Sequence, residues 1–281
     1  MSLADLAAEH GLKRVGARPP FWRYLAQAWG RREFVLTMAQ FRLRAELEGN
    51  RLGVFWLVLQ PALNALIYGA IFGILQGDRA GPDFAAHVII GVFLFQFFSK
   101  SLIQGAKSIT GNQALVQSLA FPRLTLPIGE VLEQLLSLIP SVVLMLVILP
   151  FFGHWPTWSW LLMFPLLALF TLFNTGIALI AARLTVHIRD LTQLLPFVSR
   201  ILFYSSGVLF NVETIFVKYP LVMRIYDFHP LYQVLQMARA ALMGGHDYDP
   251  MYWSYFSIWS VVIFVTGLLF FWVAEERYGR E

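Results

Sequence analysis

The chain is predicted to be an all-α integral membrane protein of six transmembrane helices, and three observations lead there. It is 58% apolar and only 14% charged, against roughly 25% charged residues in an average soluble domain. Six segments reach the roughly 20 apolar residues that a helix needs to cross the hydrocarbon core. Those runs lack the strict alternation of barrel strands, and in lipid only helices or closed barrels satisfy every backbone polar group.

Residues 1–20 carry Lys13, Arg14 and Arg18 without the apolar core of a signal peptide, so the amino terminus is expected to be retained. Residues 21–51 are predicted to form one or two amphipathic helices lying along the membrane surface. Phe34, Met38, Phe41 and Ala45 recur at spacings of four, three and four as an apolar stripe, while Arg31, Arg32, Arg42 and Arg44 suit anionic headgroups. Arg42 with Glu46, and Arg44 with Glu48, stand four apart as candidate ion pairs. The segment reads either as a simple anchor or as a docking surface for a cytoplasmic partner, because its mixed charge exceeds what lipid attraction requires.

The predicted spans follow at 52–75, 84–106, 126–150, 158–182, 191–212 and 252–274. In the 107–125 connection, Asn112 is a candidate cap for a short helix running to about Leu119, with Pro122 and Pro127 bracketing a break. The 183–190 connection is short and ends in the Arg189-Asp190 pair. In the long segment 213–251, the stretches 214–226 and 231–243 are apolar but too short to span, which suits a re-entrant hairpin. His229-Pro230 would make its turn and Gly244-Gly245 would end its second arm. Residues 275–281 form a tail.

Charge placement orients these spans. Fifteen of the 21 Lys and Arg residues fall in 1–51, 107–125, 183–190 and 275–281, and four in 76–83, 151–157 and 213–251. The positive-inside rule therefore puts both termini in the cytoplasm. Trp155, Trp158 and Trp160, with Tyr252, Trp253 and Tyr255, are placed for an aromatic belt at the outer interface.

Much chemistry is excluded. There is no cysteine, no glycine directly before Lys107-Ser108 to make a phosphate-binding loop, and no HExxH, calcium-loop or GxSxG pattern. The six histidines are scattered, so a metal site is not expected, and no ATP is expected on this chain. The net charge of +4 follows the membrane topology and is no signal for nucleic acid.

The charges inside spans are Lys100, Glu130, Glu133 and Arg200, each costly by several kcal/mol if it faced lipid. Glu130 and Glu133 share a helix face and are candidates to pair with Arg200 or Lys100, either as structure or as the polar wall of a conduction path. Phe95 and Phe98 in span two and Phe203 and Tyr204 in span five either fill the core or offer π-faces to sugar rings. Gly69 and Gly73 form a GxxxG in span one.

The order of an amphipathic surface helix, RLGVFWLVLQP opening span one, AFPRLTLP before span three, HPLYQVLQMARAALMGG before span six and a terminal EERYGRE resembles the type-2 ABC exporter permeases. Within them it is most similar to polysaccharide exporters, those for O-antigen, teichoic acid, capsule or galactan. The resemblance covers Phe21 to Glu281. It implies a homodimer with two copies of a separate ABC ATPase subunit, a heterotetramer in the plasma (bacterial inner) membrane, with ATP and Mg on the ATPase and no cofactor here. The cargo would be a lipid-linked polysaccharide moving along the dimer interface. Arg42, Arg44 and Glu48, the segment from Asn112 to Arg123, and Arg189 with Asp190 would contact the ATPase. His229, Pro230 and Arg239 match the family's outer gate helices. Two rivals stay open: the same fold exporting a small lipid, drug or ion, and a proton-coupled secondary transporter using Glu130 and Glu133.

Overall fold

The computed structural model describes residues 19–48, 52–53, 55–77, 83–118, 121–216 and 218–275, the side chains of Glu46, Glu48, Gln76 and Ser118 aside. Expectations for the first 18 residues, the 276–281 tail and those two glutamates lie outside them. Among the described residues, the helices α1 (Phe21–Gly30) and α2 (Arg32–Glu48) precede the bundle. Five helices among the described residues are long and apolar enough to cross a membrane. They are α3 (Phe55–Gln76), α4 (Phe84–Lys107), α6 (Thr125–Ile148), α7 (Met163–His187) and α12 (Met251–Val273). A short α5 (Gln113–Ser118) follows a 3₁₀ turn, Thr110–Asn112.

Helix α4 is the central post, packed by α3, α6, α7 and α8, and α12 lies along α7. Glycine permits the tightest of these crossings. A Cβ at Gly105 would stand 2.5 Å from Ala178 Cβ, and one at Gly176 would stand 2.6 Å from the Ile263 carbonyl. By contrast the Gly69–Gly73 motif makes no close crossing among the described residues: none of them lies within 4 Å of a Cβ at Gly69, and at Gly73 the Phe84 ring stands 3.8 Å away.

Hydrogen bonds define two poles. At one, Tyr24, Arg123 and Glu275 meet. At the other, Asp83 lies 3.2 Å from His154 and Ser159 Oγ donates to Ala241 O at 2.7 Å.

The predicted fifth span is shorter than expected. Helix α8 covers Leu191–Ser205, about 22 Å of rise, and stops because Gly207, at φ +74°, turns the chain. Ser206, Val208 and Leu209 are buried in that turn instead of extending a helix to Val212. Arg189, before α8, lines a small cleft with Thr110 and Gln113, while Gly207, after it, shares Arg239 with His87 near the start of α4. The chain thus returns from the first pole toward the second in 15 helical residues.

The 213–251 segment also departs from two arms. It holds three helices, α9 (Val212–Phe216), α10 (Pro220–Asp227) and α11 (Pro230–Leu242). Pro220 opens a new helix where its missing N–H costs nothing, splitting the first predicted arm. Helix α11 is buried almost throughout, packed on α4, α7 and α12, whereas Leu221 and Ile225 of α10 are exposed. In the aromatic belt, Trp155 and Trp158 are exposed as expected, but Tyr252 is buried, its hydroxyl donating to Asp227 Oδ1 at 2.6 Å.

Candidate functional site

The surface helix meets the bundle along one side and leaves most of the predicted apolar stripe outside that contact. Val35, Met38 and Ala39 face inward, while Phe34, Phe41 and Ala45 are exposed. The inward side follows from size: Ala39 is fully buried, and Gly129 leaves room for Met38, whose Cε would stand 2.9 Å from a Cβ there. This close approach brings Arg42 to Glu130 as an ion pair.

Arg42 is therefore committed across helices, to α6, and Glu130 pairs with it rather than with Lys100 or Arg200. Arg42 Nη2 also donates to Asn112 Oδ1 at 3.1 Å, and Asn112 Nδ2 donates to Ser108 O at 2.7 Å. Burial lowers the Arg42 guanidinium from its ordinary value, and the charge of Glu133 opposes that shift. One residue thereby links α2, the α4–α5 connection and α6.

A cavity of about 350 Å³ opens beside this pair, lined by Arg42, Ala45, Lys100, Gln104, Asn112, Glu130, Glu133 and Gln134. A second, of about 290 Å³, lies between α3, α4 and α8; its walls include Asn64, Tyr68, Phe95, Gln96, Ser99, Lys100, Arg200 and Phe203. Lys100 lines both. The walls of the second are aromatic on one side, with Phe203 5.0 Å from Tyr68 and 5.1 Å from Phe95 between ring centroids. Phe98 stands behind Phe95, turned toward Phe173 in the core, and Tyr204 lies on the exposed side of Phe203. Of the expected channel residues, Phe95, Lys100, Arg200 and Phe203 converge on this cavity, and Glu130 and Glu133 on its neighbour.

Asn64, Tyr68, Gln96, Ser99 and Ser199 were not expected there. Their signal was present as polar side chains at helical spacing, Asn64 with Tyr68 and Gln96 with Ser99 and Lys100.

The other expected contact residues lie at the same pole. Arg189 stands beside Thr110, Gln113 and Gln117, which joins the two connections into one surface. Arg44 and Asp190 are exposed. Arg123 is held by Glu275: its backbone N–H donates to Oε1 at 3.1 Å and its guanidinium to the Glu275 carbonyl at 2.5 Å.

At the opposite pole, Tyr232 N–H donates to His229 Nδ1 at 3.3 Å, so His229 caps α11 while Pro230 takes its first turn. Arg239 is wholly buried, its Nη2 donating to Gly207 O at 2.9 Å and reaching Val208 O and His87 O at 3.4 Å. Among the described residues, no group of three or more His, Asp or Glu is placed to hold a metal ion.

A profile of the ABC-2 type transporter family matches residues 33–243, which take in the clamped surface helix and the aromatic-walled groove. The chain belongs to that family. As an ABC-2 type transporter with five membrane-length apolar helices among its described residues, it is a multi-pass membrane protein. It is 29% identical over 194 residues, 69% of this chain and 74% of the relative, to an O-antigen export system permease protein of Myxococcus xanthus. A protein of the same description from Klebsiella pneumoniae is 26% identical over 85% of this chain and 90% of its own length. The polysialic acid transport protein of Escherichia coli is 25% identical over 83% of this chain and 90% of its own.

Proposed function

We propose that this chain is the membrane-spanning subunit of an ATP-driven exporter that carries a lipid-linked polysaccharide outward across the bacterial inner membrane. The observation that carries the reading is the meeting of two cavities at Lys100, which links the Arg42–Glu130–Asn112 knot to a groove walled by Tyr68, Phe95 and Phe203. Aromatic faces beside amides and hydroxyls suit a glycan, since pyranose C–H faces pack on rings while hydroxyls find polar partners. The family and the names of the relatives support the cargo.

In this reading α8 is the sixth crossing and both termini are cytoplasmic, in keeping with the meeting of Tyr24 and Glu275 at one pole. Helix α11 is a re-entrant plug at the outer pole. Two copies of the chain close the groove, and two ABC ATPase subunits, which bind the ATP and Mg, sit beneath α2, α5 and the Arg189 turn. Closure of the ATPases pushes on the clamped surface helix and coupling segment. This moves the bundle only if the ATPase states bind the cytoplasmic face with different free energies. A proton carrier is disfavoured because Glu130, one of its two candidate carboxylates, is held by Arg42.

The test is reconstitution of the chain with its companion ATPase in vesicles and measurement of glycan delivery. Delivery should require ATP hydrolysis and persist when the proton gradient is collapsed. Delivery with a hydrolysis-dead ATPase would overturn the reading.

A further inference from the structure

The groove contains more positive charge than its structure uses. Lys100 and Arg200 both line the cavity between α3, α4 and α8, and among the described residues no carboxylate does. Glu130 and Glu133 line the adjoining cavity, which Lys100 also lines and Arg200 does not, and there Arg42 takes Glu130. Other cations of the bundle are engaged: Arg123 lies 3.9 Å from Glu275, and Arg183 stacks on the Phe270 ring at 3.7 Å and donates to the Phe270 carbonyl. Among the described residues, neither Lys100 nor Arg200 forms a salt bridge.

Their depth makes this costly. Lys100 stands seven residues before the end of α4 and Arg200 nine after the start of α8, so they lie about 10 and 14 Å from the helix ends. Charges at such depth face a water-filled cavity, take a counter-charge, or both. The surroundings are arranged to finish coordinating an anion rather than to neutralise the cations. Ser199 Oγ donates to Ser99 Oγ at 2.6 Å, which leaves the Ser99 proton free to point into the cavity, and the Asn64 and Gln96 amides line the same wall. A neutral sugar would be served by the rings and amides alone.

We propose that this cavity is an anion subsite, in which Lys100 and Arg200 together hold a phosphate or carboxylate group of the transported molecule. The proposal rests on the exporter reading for the word transported, and on the cavity itself for the charge of what it takes. The anionic group has two possible sources, a phosphate joining the glycan to its lipid or an acidic sugar along the chain.

The experiment uses the full chain in nanodiscs of neutral phosphatidylcholine and measures binding of four probes: a long-chain polyprenyl diphosphate, the corresponding polyprenol, oligosialic acid and maltoheptaose. At least one anionic probe should bind, more weakly as salt rises, with Lys100→Gln and Arg200→Gln each reducing affinity about ten- to a hundredfold, the range of a charge-assisted contact. Lys100→Arg and Arg200→Lys keep the charge and should retain most binding; they also decide the matter if the Gln variants fail to fold. Diphosphate binding alone assigns the lipid linkage, and oligosialic acid binding assigns an acidic sugar. Binding of the polyprenol or maltoheptaose as tightly as the anions, unchanged anion binding in both Gln variants, or no anion binding to the native chain would each overturn the proposal. Glycan delivery measured in parallel separates the two readings. Delivery that survives both Gln substitutions removes the subsite and leaves the exporter, whereas anion binding without any glycan delivery leaves the subsite and removes the exporter.

Discussion

Tyr24 and Glu275, 251 residues apart, share a 2.6 Å hydrogen bond in which the phenol donates to Glu275 Oε2. The same phenol oxygen accepts from Leu124 N–H at 3.2 Å, and Glu275 also receives Arg123 N–H. One buried knot thus ties the first surface helix, the segment entering α6 and the end of α12. Tyr24→Phe leaves a buried N–H and a buried carboxylate each short of a partner, so thermal unfolding should show a loss of about 1–3 kcal/mol.

Glu275 adds a pH dependence. Burial, its leading influence, raises its carboxyl above the ordinary value of 4.5, against the lowering by Tyr24 and Arg123. The folded chain therefore holds that proton more tightly than the unfolded chain. The resulting stability is complete below the ordinary value and is lost as pH rises through the raised one. Melting temperatures measured from mildly acid to neutral pH should fall across that window in the native chain and flatten in Glu275→Gln.

Arg42 and Glu130 bind α2 to α6 with side chains 23% and 12% exposed. A double-mutant cycle with Ala at both positions should give a coupling of about 1–3 kcal/mol. Exchange of the two charges, Arg42→Glu with Glu130→Arg, should recover part of it. In the reconstituted exporter the single variants should hydrolyse ATP without matching glycan delivery.

Arg239 joins α11 to the turn after α8 and to α4 through one nitrogen, Nη2, which donates to Gly207 O and reaches Val208 O and His87 O. Arg239→Leu leaves those carbonyls unmet in a buried site and should cost more than about 3 kcal/mol. Lys keeps the charge but has no second nitrogen to donate to Gln236 Oε1 as Nη1 does at 3.2 Å, so Arg239→Lys should recover only part of the loss. Hydrogen exchange at residues 206–209 reports the loosening directly.

Gly176 and Gly69 make an opposed pair. A Cβ at Gly176 meets the Ile263 carbonyl at 2.6 Å, while one at Gly69 meets no described residue within 4 Å. Gly176→Ala should destabilise the bundle by about 1–3 kcal/mol through overpacking. Gly69→Ala should leave the monomer's melting unchanged, and any effect it has should show in the association of two copies.

The amino-acid order was sufficient for what depends on local composition. Helical spans, their boundaries within a few residues at α4 and α12, the surface helices, the break at His229-Pro230 and the in-span charges all follow from apolar run length, proline placement and the cost of charge in lipid. It also marked Phe95, Lys100, Arg200 and Phe203, which do meet at one cavity. Packing decided the rest. Which stripe of α2 turns inward depended on the space left by Gly129, the partner of Arg42 was a glutamate 88 residues away, and α8 ended early because Gly207 could turn and Arg239 could hold the turn. Such choices are made between residues far apart in the chain. Side-chain volume and hydrogen-bond geometry at a crossing set them, and neither is a property of any one segment.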